Sequence, residues 1–250
     1  MGMRAVLTAA LAVAIGYGSA GAIVWPGGDD GGYLTLGKAA SKCEQKAAGN
    51  LGKLAGAIIK CQDKMVKNAF KAKAPIDEQA CENAAITKYT GKTVTTDCPC
   101  VNTANNASIA ESVINGNGGL VNCDSASGVK ISTALPDNGA AQIDGWLPST
   151  KDIAKAESKI GKAVSKYAAG WFKCHAAAAK SYLKTAAYDD GAEENCESAN
   201  QAVFETAFNA QTLRAGCEDM AAIESVTFTQ LESAASLNFC VQSPSGAFVQ

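Results

Sequence analysis

Ten cysteines and a single histidine are the residues of this 250-residue chain with the widest reach for chemistry. Cys98-Pro99-Cys100 has the spacing of a redox dithiol or half a metal site, and Cys174-His175 sets a thiol beside an imidazole. Neither pattern is complete. A zinc site would show a second such cysteine pair or nearby histidines, and a haem attachment would need cysteine where Trp171 stands. Adjacent residues of a helix point in different directions, which argues against Cys174 and His175 acting as a catalytic pair. The expectation is that Cys98 and Cys100 end two structural disulfides and that His175 lies exposed on a helix. No metal, cofactor or catalytic residue is expected.

The acidic groups Asp29-Asp30 and Asp189-Asp190-Gly191-Ala192-Glu193-Glu194 do not follow the calcium loop D-x-[DN]-x-[DN]-G with its distal glutamate. The second group reads better as acidic residues at a helix start, where the macrodipole favours them. Asn106-Ala107-Ser108 fits a glycosylation acceptor. No phosphate-binding glycine loop, nucleophile elbow or H-E-x-x-H occurs. Paired carboxylates carry no local signature, so a carboxylate enzyme remains the third reading. Trp25 and Trp146 fall in loops and are the candidates for contact with a partner, since loop aromatics often carry recognition. Trp171 belongs to a helix seam and reads as core.

The elements that must position these residues emerge from the cysteine spacing. Cys61, Cys81, Cys100 and Cys123 are echoed by Cys174, Cys196, Cys217 and Cys240, with intervals of 20, 19 and 23 against 22, 21 and 23. Apolar residues recur in steps of three and four at Leu51, Leu54, Ile58, Cys61 and Met65. They do so again at Ile160, Val164, Tyr167, Trp171, Cys174 and Ala178, the mark of a helix packed on helices. Each copy then turns, at Ala74-Pro75-Ile76-Asp77 and Tyr188-Asp189-Asp190-Gly191, with acidic N-cap candidates. A second helix opens with Cys-Glu-x-Ala in both, and Tyr89 and Phe204 match eight residues after its cysteine. A third helix runs from Cys217 through Met220, Ile223, Thr227 and Leu231 to Cys240. Its counterpart, Ser108–Ile114, is expected to stop at Asn115-Gly116-Asn117-Gly118-Gly119. Ser149, with Asp152 three residues on, resembles an N-cap box for the helix that opens the second copy.

The fold class is therefore all-α: two duplicated, disulfide-stapled helical-hairpin or three-helix units with a loop or small hairpin between them. The expected division is 1–22 signal peptide, 23–37 flexible Gly-rich leader, 38–123 first repeat, 124–148 linker, 149–240 second repeat and 241–250 tail. The signal reading rests on Arg4, the apolar run Ala5–Tyr17 and the A-x-A site Ala20-Gly21-Ala22. Export to the cell surface, the medium or a periplasm places the cysteines where disulfides form. A net charge of −2, and Lys38, Lys42, Lys46 and Lys53 spread along one helix, give no basic face for nucleic acid. No segment after the leader is long and apolar enough to span a bilayer.

Pairing follows less directly. Cys43 and Cys98 stand outside the shared pattern and are expected to pair. Treating the turn as the hairpin end puts Cys174 about 22 Å and Cys196 about 9 Å from it. That disfavours a bridge, which needs Cα atoms within about 7 Å. The expectation is Cys174–Cys217 and Cys196–Cys240, with Cys61–Cys100 and Cys81–Cys123 by analogy.

From Lys60-Cys61 to Cys81-Glu82-Asn83-Ala84, and from Lys173-Cys174 to Cys196-Glu197-Ser198-Ala199, the chain resembles secreted bacterial proteins with duplicated Cys-framed, Ala/Lys-rich helical repeats. The resemblance covers roughly residues 55–123 and 168–240 and brings no activity, ligand or catalytic residue with it. Cys43, Cys98 and the glycine-rich third helix depart from that pattern. Few catalytic residue types, dense bridges and an export signal together imply a secreted, non-enzymatic structural or interaction protein, acting through protein partners or self-association. The second reading is an extracellular binding module or small-ligand carrier with a pocket between helices or repeats.

Overall fold

A computed structural model describes residues 32–74, 76–131 and 145–241. The expected signal, most of the leader, Trp25 and Asp29-Asp30 lie outside the described residues, as do 132–144 and most of the tail. Among the described residues the regular elements are helices: α1 Lys38–Phe70, α2 Glu78–Lys92, α3 Thr103–Val121, α4 Lys151–Thr185, α5 Asp190–Asn209 and α6 Met220–Asn238. Among the described residues one isolated antiparallel bridge, Lys130 with Trp146, lies between the repeats.

The helices begin where the sequence supplies caps. Asp77 and Asp189 accept from the backbone N–H groups of Ala80 and Ala192, satisfying donors that no helical carbonyl reaches. For α4 the cap is Thr150 rather than Ser149. Ser149 instead donates its backbone N–H to Asp124 at 2.6 Å. Lys38, Lys42, Lys46 and Lys53 line the solvent side of α1, while Leu51, Leu54, Ile58, Cys61 and Met65 are buried.

Two helices of the first repeat pack on their counterparts in the second, α1 chiefly on α4 and α3 on α6, while α2 packs on α1 of its own repeat. The long helices cross closely at Gly52, where an added Cβ would lie 3.0 Å from Ala169. At the reciprocal position a Cβ on Gly56 would lie 3.2 Å from Ser165 Oγ. Gly52 and Ser165 hold matching positions, as do Gly56 and Ala169, so the contact is self-complementary in the manner of a two-fold interface. One apolar core, from Leu51 and Ile58 through Ile114 to Ile160, Trp171, Phe204 and Ile223, runs through both repeats.

The disulfides follow the same symmetry and correct the expected pairing. Cys43–Cys98 forms as expected. The others are Cys61–Cys81, Cys174–Cys196, Cys100–Cys240 and Cys123–Cys217. The hairpin bridges form because the connectors 71–77 and 186–189 are not tight tips. Cys174 lies about 16 Å from the end of α4 and Cys196 about 9 Å into α5, a mismatch within reach of four connecting residues at up to about 3.3 Å each. Cys174 and Cys196 accordingly reach a Cα separation of 5.6 Å. The remaining two bridges cross between repeats, because α3 and α6 pair with each other and carry their terminal cysteines to the opposite copy.

The first repeat's third helix is also longer than expected, running through the Asn–Gly segment to Val121. Tertiary packing overrides poor helix propensity there. Asn117, fully buried, donates to the Val113 carbonyl and to Thr227 Oγ1 of α6 at 2.8 and 2.9 Å. Asn115 accepts from Gln62 of α1 at 2.6 Å. Gly116 faces α6 at a point where a Cβ would come within 3.2 Å of Val226.

Candidate functional site

The apolar seam of α4 extends one step further toward its start than the apolar residues alone show. Glu157 precedes Ile160, Val164, Tyr167, Trp171 and Cys174 in the same three-and-four rhythm. It is buried, 2% exposed, and neither carboxyl oxygen has a hydrogen-bond partner. Burial, and then the nearby carboxylates of Glu218 and Asp124, push its pKa up to about 9, so it is a neutral carboxylic acid at pH 7.

Glu157 borders a cleft between α1, α3 and α4, and therefore between the two repeats. Ile59, Val66, Ile114, Val121 and Val164 form its apolar wall. Gln62, Asn117 and Asn122 supply polar groups, and Asn117 Oδ1 has no hydrogen-bond partner. The enclosed interior is narrow, within an empty volume of about 480 Å³ that includes the mouth. The enclosed part takes one or two waters or a thin apolar group. At the mouth Asp63 pairs with Lys67 at 2.7 Å and reaches Lys162 of α4 at 3.7 Å, tying the two repeats across it. Asp124 beside it is held below the usual carboxylate range. Burial raises its pKa, but hydrogen bonds from Ser149 and from the Ala126 backbone together outweigh that.

Several sequence-predicted residues lie elsewhere. All ten cysteines are in disulfides, and Cys98 and Cys100 end two different bridges as expected. Trp146 is half-buried, with Lys130 Nζ 5.5 Å from its ring centroid, beside a shallow depression formed with Asn115, Gly119 and Leu120 rather than at the cleft. Trp171 is core. Asn106 is fully buried in α3, where no glycan could be attached.

His175 is the plainest correction. It is not exposed but completely buried. Its Nδ1 lies 2.9 Å from Glu193 Oε1, 3.1 Å from Glu197 Oε1 and 3.4 Å from the Trp171 carbonyl, with the Trp171 ring tilted over it at a centroid distance of 3.9 Å. Cys174 and His175 point in different directions, yet both are covered, because α4 is flanked by α1 on one side and α5 on the other. A signal for this cluster exists in the spacing E-x-x-C-E, shared by Glu78-Cys81-Glu82 and Glu193-Cys196-Glu197, with Gln62 and His175 each following the partner cysteine.

No family model, curated protein or solved structure matches the chain.

Proposed function

We propose that the chain is a secreted, non-enzymatic interaction protein, and within that class a binding module for a small, uncharged, mainly apolar molecule. The ligand occupies the cleft between the repeats and accepts a hydrogen bond from the neutral Glu157. The observation that carries this reading is Glu157 itself. A carboxyl group buried without a partner costs on the order of 1–3 kcal/mol, and a ligand acceptor removes that cost. The neighbouring Asp124 and Glu218 disfavour an anionic ligand. Five disulfides support action in an oxidising compartment. No helix among the described residues is long and apolar enough to cross a membrane.

Methyl NMR of the full chain, titrated with 1-octanol, octanamide and octanoate, tests the reading. The two neutral molecules should shift the Ile59, Val66, Ile114, Val121 and Val164 methyl signals, with octanoate weakest. Gly161→Leu, which fills the cleft from α4, should abolish the shifts. Silence with all three molecules, or shifts that persist in Gly161→Leu, would overturn it.

A further inference from the structure

Between α4 and α5, away from the cleft, His175 of one helix meets Glu193 and Glu197 of the other. Glu193 and Glu197 are one helical turn apart and so project from the same face of α5. One ligand atom from each of the three residues lies within 4.8 Å of the others. The side chains of His175 and Glu193 are fully buried and that of Glu197 is 12% exposed, so the cluster opens to solvent only past Glu197. The second oxygen of Glu193, Oε2, has no hydrogen-bond partner.

Two carboxylates and a neutral imidazole carry a charge of −2. A divalent ion matches that formal charge more fully than one proton on the imidazole does, and buried charge is costly unless paired. Nδ1 lies 2.9 and 3.1 Å from the two carboxylate oxygens. With metal–ligand bonds of about 2.1 Å, such separations subtend roughly 90° at a shared ion, the angle between adjacent ligands of an octahedron.

We infer that His175 Nδ1, Glu193 and Glu197 form one face of a binding site for a first-row divalent transition-metal ion, its remaining positions open to water. One imidazole with two carboxylates suits zinc, manganese or cobalt, and the affinity order puts manganese below cobalt. Calcium, which takes six to eight oxygens, is a poor match. The Cys174–Cys196 bridge is next to His175 on one helix and next to Glu197 on the other, so it fixes the spacing of the ligands without joining them. The first repeat lacks the site: Gln62 stands in the position of His175 and turns to Asn115.

The test uses the full chain without an affinity tag, whose only imidazole is His175. Calorimetric titration with zinc should show one equivalent bound, calcium should bind at least a hundredfold more weakly, and zinc should raise the melting temperature with concentration. In ¹⁵N-detected imidazole spectra, zinc should move the His175 Nδ1 resonance to a metal-bound position. Glu193→Gln and Glu197→Gln should each weaken zinc at least tenfold, while Glu82→Gln, at the matching place in the first repeat, should not. Glu197→Gln, at the cluster's open edge, keeps the test intact if Glu193→Gln fails to fold. Lack of stoichiometric zinc binding, an unmoved His175 signal at saturating zinc, or wild-type affinity in a folded Glu197→Gln chain would each overturn the site. A purely structural His–Glu ion pair produces the first two of these results.

Discussion

Glu44 and Glu157 occupy the same place in the two repeats, seventeen residues before Cys61 and Cys174, and they meet different fates. Glu44, 1% exposed, accepts backbone N–H bonds from Cys240 and Val241 at 2.8 and 2.7 Å, and its own carbonyl accepts from Asn238. Burial still outweighs those bonds and raises its pKa to about 7. Glu157 has no donor, faces two more carboxylates, and is pushed further, to about 9. Around Glu44 the chain after α6 folds onto α1 and closes the site. Around Glu157 the chain after α3 leaves toward the bridge of Lys130 with Trp146, and the space it does not fill is the cleft. A duplicated framework keeps the acid in both copies. Only the Glu44 site is closed by backbone, supplied by the end of the other repeat, and the Glu157 site is the one available to a ligand.

The largest effect should come from cutting the bridge at the closed end. Replacing Cys100 and Cys240 by serine should cost about 2–5 kcal/mol in urea unfolding. It should cost more than replacing Cys123 and Cys217, because the first pair also tethers the two N–H donors of Glu44. Equal losses would break the distinction between the ends. Next, Glu44→Ala leaves two buried N–H groups without an acceptor and should cost about 1–3 kcal/mol.

Stability should also depend on pH. Both glutamates have folded pKa values above the ordinary 4.5, so the folded protein binds more protons than the unfolded chain in between. Their contribution is fully present below about pH 4.5 and is lost as pH rises, by about pH 7 for Glu44 and about pH 9 for Glu157. Stability from urea midpoints should therefore fall from pH 5 to pH 9. Glu157→Gln should flatten the upper half of that fall and be more stable than the parent by about 1–3 kcal/mol at pH 9. A profile unchanged by Glu157→Gln would show that the cleft carboxyl is ordinary. Smallest is His175→Gln, which gives the second hairpin the residue of the first. It should cost about 1–2 kcal/mol at pH 7 by removing the partner that Glu193 and Glu197 share, read as a lower melting temperature in the absence of added metal.

Much of the framework was legible because it is local or periodic. The two seams, the Asp77 and Asp189 caps, the match of Tyr89 with Phe204 (both buried) and the isolation of Cys43–Cys98 all follow from spacing and cap chemistry. What failed depends on how the repeats meet. The crossed bridges Cys100–Cys240 and Cys123–Cys217 presuppose that α3 pairs with α6, which spacing within one repeat does not reveal. The helical Asn115–Gly119 segment looks like a terminator until α6 lies against it. Glu44 and Glu157 broke the apolar rhythm in composition while continuing it in position, and buried acids of that kind mark a seam only when the step of three and four is followed past its apolar members. His175 was misplaced for a related reason: a helix covered on two sides buries adjacent residues, and the breadth of that cover is a tertiary fact.

The most direct measurement is the titration of Glu157 itself, followed by the ¹³C shift of its side-chain carboxyl between pH 3 and pH 10 and assigned by comparison with Glu157→Gln. A neutral acid held in the cleft should titrate near pH 9. Titration near the ordinary carboxylate value of 4.5 would contradict the account, because an ionised, water-exposed Glu157 neither opposes closure of the repeats nor offers a hydrogen bond to a neutral ligand.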